Sequence, residues 1–182
     1  HASSVNPAAP ELQSIQGFKD SDLWVSKNGE KPIVNVFLCC RNNQSDLGIT
    51  LSMLRIIERQ HQKYQFYYYI MENDSNDDTP FQIIDFFKAA KGRYRIEKID
   101  KKQWGTVTGT GRVQDMAEYR NMMKDLCRTW NNSPYSFVVD TGVQFSLDIF
   151  DKLTHVMNSI EGTVMVTPFG QVADKAGKYY DT

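Results

Sequence analysis

Three short apolar or aromatic runs of the chain end in side chains that could bind a metal ion or a phosphate group. The runs cover residues 33–40, 65–71 and 135–140. The polar residues at or just after their ends are Arg41, Asn42, Glu72, Asp74 and Asp140. Because the carboxyl ends of parallel strands meet at one edge of a sheet, we expect these five side chains to lie at a common edge.

Asp140 is the candidate metal ligand. A carboxylate at a strand end can coordinate a hard divalent cation, and such a cation can bridge the phosphates of a nucleotide. We therefore expect Mn²⁺ or Mg²⁺ at Asp140. The alternative is that Asp140 only stabilises a turn through Thr141 and Gly142.

The other charged residues also allow two interpretations each. The acids of residues 72–78 could accept hydrogen bonds from a ribose or a base edge, or could form a solvated turn before a helix. Arg41, Arg112 and Arg120 could hold phosphate oxygens in bidentate fashion. The alternative for Arg112 and Arg120 is a solvated helix face.

Strands that alternate with helices have to position these side chains. The pattern predicts helices after a Ser45 or Asp46 cap, over 79–90 and 112–130, and after a Ser146 cap. It predicts strands over 33–40, 65–71, 94–99, 135–140 and 162–168. This alternation favours an α/β fold, a single domain with a mostly parallel sheet flanked by helices.

The composition sets limits on the class of protein. A chain of 182 residues with 41% hydrophobic residues can bury one core, and we expect a flexible lead-in and flanking segment over 1–31 and one domain over 32–182. The net charge of -1 gives no general attraction for nucleic acid. No apolar run reaches the roughly 20 residues that span a bilayer, so no membrane segment is expected.

Cysteine and histidine provide no recognisable metal or redox motif. The cysteines Cys39, Cys40 and Cys127 are expected to be buried thiols, because their spacing suits neither a disulfide framework nor a zinc site. Dinucleotide and Walker phosphate-binding patterns are absent. Glycan acceptor patterns at Asn43 and Asn73 fall on the proposed edge, which favours a cytoplasmic chain, with a lumenal domain of a longer anchored parent as the alternative.

Several short sequence motifs (called phrases below), in their order along the chain, resemble those of a GT-A glycosyltransferase, and most closely those of the fungal capsule-associated mannosyltransferase group. The similarity covers about residues 32–182. The matching phrases are Asn42-Asn43, Glu72–Thr79, Met116–Asn121, Phe137–Val143 and Tyr179–Thr182.

This resemblance implies transfer of a sugar from a nucleotide-sugar donor, such as a UDP- or GDP-sugar, to a hydroxyl of a glycan or other acceptor. It implies that Asp140 binds the cation and makes Asp181 a candidate base. The residues assigned to the donor are Cys40, Arg41, Asn42, Glu72, Asp74, Arg112, Arg120 and Asn121. GT-A enzymes usually have a second acid two residues after the first, where this chain has Gly142.

Two rival functions remain at this point. The missing second acid is also expected of a non-catalytic carbohydrate- or protein-binding module that keeps the fold. A nucleotidyltransferase also combines a nucleotide site with a metal at a sheet edge, but usually has a glycine-rich loop after its first strand, where this chain has Cys39–Asn43.

Overall fold

The structure is a computed structural model in two compact units, residues 1–144 and 145–182. Within them it describes residues 15–16, 31–90, 93–101, 109–130, 133, 135–163 and 165–166. Among these described residues, the first unit contains the sheet and three helices, and the second contains one helix. Most of the predicted lead-in over 1–31 lies outside the described residues, so the predicted domain boundary at 32 stays a prediction.

Four parallel strands form most of the sheet, which confirms the predicted α/β class. The strands are β1 (Ile15–Gln16), β2 (Ile33–Cys40), β3 (Gln65–Asn73), β4 (Arg93–Ile99) and β5 (Tyr135–Asp140). Their order across the sheet is β1-β4-β3-β2-β5, and only β1 is antiparallel to its neighbour. Because β2 and β3 are central, nearly all their residues are buried.

Three helices follow strands of the first unit, as the alternation predicts. They are α1 (Leu47–Gln60), α2 (Thr79–Ala90) and α3 (Gly109–Trp130), while α4 (Ile149–Ser159) belongs to the second unit. The buried stripe of α1 consists of Leu47, Thr50, Leu51, Leu54 and Ile57. In the part of the chain that the structure describes, no helix is both long and apolar enough to cross a bilayer.

The helices of the first unit cover both faces of the sheet. On one face, Tyr119 and Met123 of α3 share a core with Phe37 and Tyr69. On the other, Phe87 of α2 packs against Tyr68, with 5.3 Å between ring centroids. Successive strand residues thus serve opposite cores, as the two-residue period of a strand requires.

The hydrophobic spacing of α3 predicts that Val113 and Ala117 share its buried face, and this prediction was wrong. Val113 is 69% exposed and Ala117 is exposed as well, because the buried face of α3 begins at Met116 and continues through Tyr119 and Met123. The predicted lead-in and flanking segment over 1–31 holds strand β1, which at two residues is too short to give a periodic signal.

Helix caps and one strand also differ from the prediction. Asp46 is the N-cap residue of α1, but its side chain makes no capping hydrogen bond. Ser146 accepts the Ile149 amide through its backbone carbonyl (3.0 Å), so a turn intervenes and Asp148 becomes the N-cap of α4. In the predicted strand 162–168, the described residues lie outside any strand.

Candidate functional site

The carboxyl ends of β5, β2 and β3 lie side by side. Cys39 of β2 is in register with Asp140 of β5, and Cys40 is in register with Glu72 of β3. Neighbouring strands in a sheet are about 4.8 Å apart, so the three ends form one continuous edge of the sheet. Arg41 and Asp74 follow directly after β2 and β3. The topology therefore brings the polar residues at the ends of these three strands to a common edge.

At the β5 end, Asp140 forms an ion pair with Arg120 of α3. Arg120 Nη2 donates to Asp140 Oδ1 at 2.9 Å, and the side chains are 42% and 54% exposed. Asp140 shares the register position of Cys39, whose side chain packs on the core beneath α3. This places the Asp140 carboxylate on the α3 face of the sheet, where Arg120 reaches it. We call Arg120 and Asp140 the edge pair.

Beneath the edge pair, part of the site is buried. Arg120 Nε is buried and has no hydrogen-bond partner within the described ranges. Burial raises the pKa of the Cys39 thiol to about 11, although the positive charge of Arg120 lowers it in part. At neutral pH Cys39 is therefore an uncharged thiol. The charges at this position are those of Arg120 and Asp140.

The turn after Asp140 depends on a glycine. Gly142 has a φ of 84°, a conformation that other residues adopt only with strain. Its amide donates to Thr50 Oγ1 of α1 at 3.4 Å, and Asp140 O accepts the Val143 amide at 3.4 Å. The same turn therefore ends β5 and ties its end to α1. Gly142, which replaces the second acid of the usual pattern, has a structural use here.

At the ends of β2 and β3 the two loops bind each other. The backbone amide of Asn42 donates to Ser75 Oγ at 3.0 Å, and the side-chain oxygen Asn42 Oδ1 accepts the backbone amide of Asn76 at 2.9 Å. The backbone amide of Asn43 donates to Thr79 Oγ1 at 2.7 Å. We call these contacts between residues 42–44 and 75–82 the clasp. Asn42, predicted to bind the nucleotide, uses its amide and its side-chain oxygen within the clasp.

Two acids of the 72–78 segment belong to the clasp as well. Asp77 Oδ2 accepts the Gln44 amide at 3.1 Å, and Asp77 Oδ1 accepts the Thr79 amide at 2.9 Å. Asp78 Oδ2 accepts from Gln44 Nε2 at 3.3 Å. Asp77 thus caps the start of α2 while it holds the neighbouring loop. For these two acids the structure favours the turn interpretation over ribose binding.

Glu72 and Asp74 occupy different environments. Glu72 is fully buried, and its Oε1 accepts the Ser75 amide at 2.9 Å, while Oε2 has no hydrogen-bond partner among the residues described. Burial raises the pKa of Glu72, and its hydrogen bonds with Ser75 offset this only in part. Asp74 has a φ of 48° and accepts the Lys101 amide through Oδ2 at 3.2 Å. The predicted contact of Glu72 with a nucleotide would require the clasp to open.

The remaining predicted donor residues are more scattered. Cys40 is buried on the face opposite α3, where burial raises the pKa of its thiol. Arg112 is exposed in the first turns of α3, and Asn121 Oδ1 accepts from Lys124 Nζ at 3.3 Å. Asp181, the predicted base, lies outside the described residues. Of the α3 residues assigned to the donor, Arg120 contacts another assigned residue, Asp140.

Lys101 is a charged residue of this region that the sequence did not single out. Its Nζ lies 2.8 Å from carboxylate oxygens of both Asp115 and Glu118, and 4.9 Å from the centroid of the Tyr119 ring. Hydrogen bonds to the two carboxylates raise the pKa of Lys101. Lys101 thus ties the segment after β4 to α3. The i, i+3 spacing of the two acids on a predicted helix was the available signal.

The surroundings of Asp140 do not fit a divalent-cation centre. Its partner is the cationic Arg120, and the next two residues, Thr141 and Gly142, provide no carboxylate. Over the described ranges, no group of three or more His, Cys, Asp or Glu side chains could hold a metal ion. A hard cation prefers several oxygen ligands. Arg120 already binds the Asp140 carboxylate, and the second carboxylate near this turn is that of Asp46, which lies 3.6 Å from the position that a Cβ of Gly142 would take.

Comparisons with known proteins found similarity in solved structures alone. No family model matches the sequence, and no curated protein matches it. Three similar structures are S. aureus TarS 1-349, at 12% identity, its complex with UDP-GlcNAc, at 11%, and its complex with UDP, at 12%. Each has a TM-score of 0.45 and covers 69% of this chain. This chain spans about a third of their length, 32%, 31% and 32% respectively.

Proposed function

We propose that the chain is a glycosyltransferase that moves a sugar from a nucleotide-sugar donor, a UDP- or GDP-sugar, to a hydroxyl group of a glycan or other acceptor. The observation that carries the proposal is the shared edge where β2, β3 and β5 end. Arg41, Asp74 and the edge pair belong to that edge. Open parallel sheets bind nucleotides at the carboxyl ends of their strands, which makes this edge the place for the donor.

The order of motifs along the chain supports the same function. Each phrase that resembles a GT-A glycosyltransferase and lies in the described residues falls at a strand end or on α3. Asn42-Asn43 follows β2, Glu72–Thr79 runs from the end of β3 to the start of α2, and Phe137–Val143 contains the end of β5. Met116–Asn121 includes Arg120, which binds Asp140. Phrases that are distant in sequence are therefore brought to one side of the sheet.

The proposed reaction breaks the bond between the anomeric carbon of the sugar and the diphosphate oxygen. Its electron pair leaves with the nucleoside diphosphate, and the acceptor oxygen forms the new bond and loses its proton to a base. The protein has to stabilise the charge that develops on the leaving diphosphate. Arg120 and Arg41 are the cationic side chains that we assign to this task.

A cation at Asp140 stays a prediction, and no step of the reaction is assigned to it. A nucleotidyltransferase is less well supported, because the loop after β2 is bonded into the clasp rather than glycine-rich. A non-catalytic binding module is the stronger rival. It is favoured by the internal use of Asn42 and Glu72, two residues assigned to the donor.

The test is calorimetric titration of the full chain with UDP- and GDP-sugars, followed by measurement of nucleoside diphosphate release. We expect saturable binding that Asp140→Ala weakens, and slow release of the diphosphate from the donor. Asp125→Ala is the matched control, because Asp125 is an exposed acid paired with Arg128 near the far end of α3. Binding without any release would favour the module. No binding to any nucleotide or nucleotide-sugar would overturn the proposal.

A further inference from the structure

The edge pair combines exposure with unused hydrogen-bonding capacity. A guanidinium group has five N–H donors. One Nη2 hydrogen bond of Arg120 goes to Asp140, and Nε–H has no partner in the described parts of the chain. The side chain is nevertheless 42% exposed, so a ligand at the edge can reach its outer nitrogens. Phosphate oxygens are the acceptors that fit a planar guanidinium fork best.

Asp140 is placed to orient Arg120. Its Oδ1 accepts the hydrogen bond from Nη2, and the Gly142 turn fixes the backbone directly after it. A long arginine side chain loses conformational entropy when it binds a ligand, and an anchor that holds it beforehand reduces that loss. Asp140 can therefore assist anion binding even though it is itself an anion, provided that its effect through Arg120 exceeds its repulsion of the ligand.

The charges around the edge pair point in the same direction. Arg41 follows β2, the strand beside β5, so its backbone lies at this stretch of the edge. The Cys39 thiol below is neutral and adds no negative charge. Lys101 is paired with Asp115 and Glu118, so its charge is already matched. Arg120 keeps an exposed side chain beside its bond to Asp140, and we assign it, together with Arg41, to the diphosphate.

We propose that Arg120, held in place by Asp140, binds the diphosphate of the donor directly, so that nucleoside diphosphate binding at this edge requires no divalent cation. The inference rests on the proposed function and assigns Asp140 a positioning role instead of a metal-ligating one. It follows from the poor fit of the Asp140 surroundings to a cation centre and from the arginine that occupies its carboxylate.

The first experiment measures the Kd of UDP and of GDP for the full chain by calorimetry, in EDTA and in Mn²⁺. We expect similar Kd values in both buffers. Arg120→Gln should raise the Kd by about 10- to 100-fold, the usual cost of losing hydrogen bonds to a charged group. Arg120→Lys should recover part of the loss. Arg128→Gln is the matched control on the same helix and should change nothing.

The second experiment separates positioning from metal binding at Asp140. Asn keeps an oxygen that can accept the Arg120 hydrogen bond, whereas Ala removes it. In EDTA, Asp140→Asn should stay within about threefold of the wild-type Kd, and Asp140→Ala should weaken binding about tenfold, the scale of one lost hydrogen bond. Uridine and guanosine, which lack the diphosphate, should bind all variants alike. Thermal unfolding of each variant checks that it is folded.

The outcomes distinguish the inference from the proposed function. Binding that appears only with Mn²⁺, and that Asp140→Asn and Asp140→Ala abolish equally, would overturn the direct role of Arg120 and leave the glycosyltransferase proposal standing. Binding in EDTA that Arg120→Gln does not weaken would also overturn it. The absence of binding to nucleoside diphosphates and nucleotide-sugars under every condition would overturn the proposed function itself.

Discussion

The carboxyl edge of the sheet has two halves of opposite character. Between β2 and β3, the clasp joins the two loops through hydrogen bonds, and Glu72 is fully buried beneath Ser75. Between β5 and α3, the edge pair is about half exposed and Arg120 has donors to spare. The clasp groups named above are occupied by one another, whereas the Arg120 side chain stays 42% exposed beside its bond to Asp140. We therefore assign the clasp to the scaffold and, under the proposed function, the edge pair to the ligand.

This contrast changes which acidic residues are assigned to stability and which to binding. Residues 72–78 are the most acidic stretch near the edge, yet Asp77 and Asp78 hold Gln44 and the start of α2. Asp140 stands alone in its segment but carries the exposed charge. Substitutions in the clasp should thus reduce stability, whereas substitutions in the edge pair should reduce binding with little loss of stability. Each prediction below tests one side of that division.

The largest stability effect is expected for the clasp residue Thr79. Thr79→Val keeps the shape but removes the acceptor of the Asn43 amide, which lies 2.7 Å from it. We expect the free energy of unfolding to fall by about 1–3 kcal/mol, because the half-buried Asn43 amide loses its partner at the fully buried Thr79. Urea unfolding measures it. Thr154→Val in α4 is the control, because that hydroxyl donates to helix carbonyls, and an equal loss there would contradict the role of the clasp.

The next effect concerns the turn that orients Asp140. Gly142→Ala forces a side chain into a φ of 84°, which costs about 1–2 kcal/mol. Gly48→Ala in α1 is the matched control, because an added Cβ there meets nothing within 4 Å and a helix favours Ala over Gly by about 0.5–1 kcal/mol. Thermal unfolding should move the two variants in opposite directions. A shift of the same sign in both would contradict the strained turn.

A smaller effect is expected in how stability depends on pH. Burial raises the pKa of Glu72 above its ordinary value of 4.5, so the folded chain keeps this proton to a higher pH than the unfolded chain does. The stability that Glu72 contributes is therefore complete below 4.5 and is lost as the pH rises through the raised value.

Glu72→Gln should remove this loss, so that the free energy of unfolding changes less with pH above 4.5 than in the wild type. Urea unfolding across that window measures the difference. Glu161→Gln, at an exposed glutamate, should leave the wild-type pH dependence intact. A Glu72→Gln profile that matches the wild type would show that Glu72 has an ordinary pKa in the folded protein.

The smallest stability effect is expected for the edge pair itself. Both side chains are more than a third exposed, and ion pairs of this kind contribute about 0.5 kcal/mol. Arg120→Gln should therefore unfold at nearly the same urea concentration as the wild type, although we expect it to bind nucleoside diphosphates much more weakly. A stability loss as large as that of Thr79→Val would make the edge pair a structural element and remove the contrast between the two halves.

Much of the fold was predictable because its signals are local. β2 and β5 have the predicted bounds, and β3 extends two residues beyond its predicted end at 71. Apolar runs and Pro80 at the start of α2 provide these signals within a few residues of each strand or helix. β1 was missed because two residues contain no period. The start of α4 was misplaced because a backbone turn at Ser146 occupies the predicted cap.

The site was less predictable, because its contacts join residues distant in sequence. The alternation of strands and helices indicated that Asp140 would lie at the edge. The partner of its carboxylate, Arg120, lies 20 positions earlier in the chain. The clasp joins residues 33 to 38 positions apart. Nothing local in the sequence shows that Glu72 is buried while Asp140 is exposed. That difference depends on the position of each residue's strand in the sheet and on the side chains that pack against it.

The most direct measurement of the central claim is titration of the full chain with UDP- and GDP-sugars, beside its Arg120→Gln and Arg128→Gln variants. The account predicts saturable binding of a donor by the wild type and by Arg128→Gln, and a Kd raised by about tenfold or more in Arg120→Gln. A chain that binds no donor, or that binds one equally well in all three forms, would contradict the assignment of the edge pair to a nucleotide-sugar.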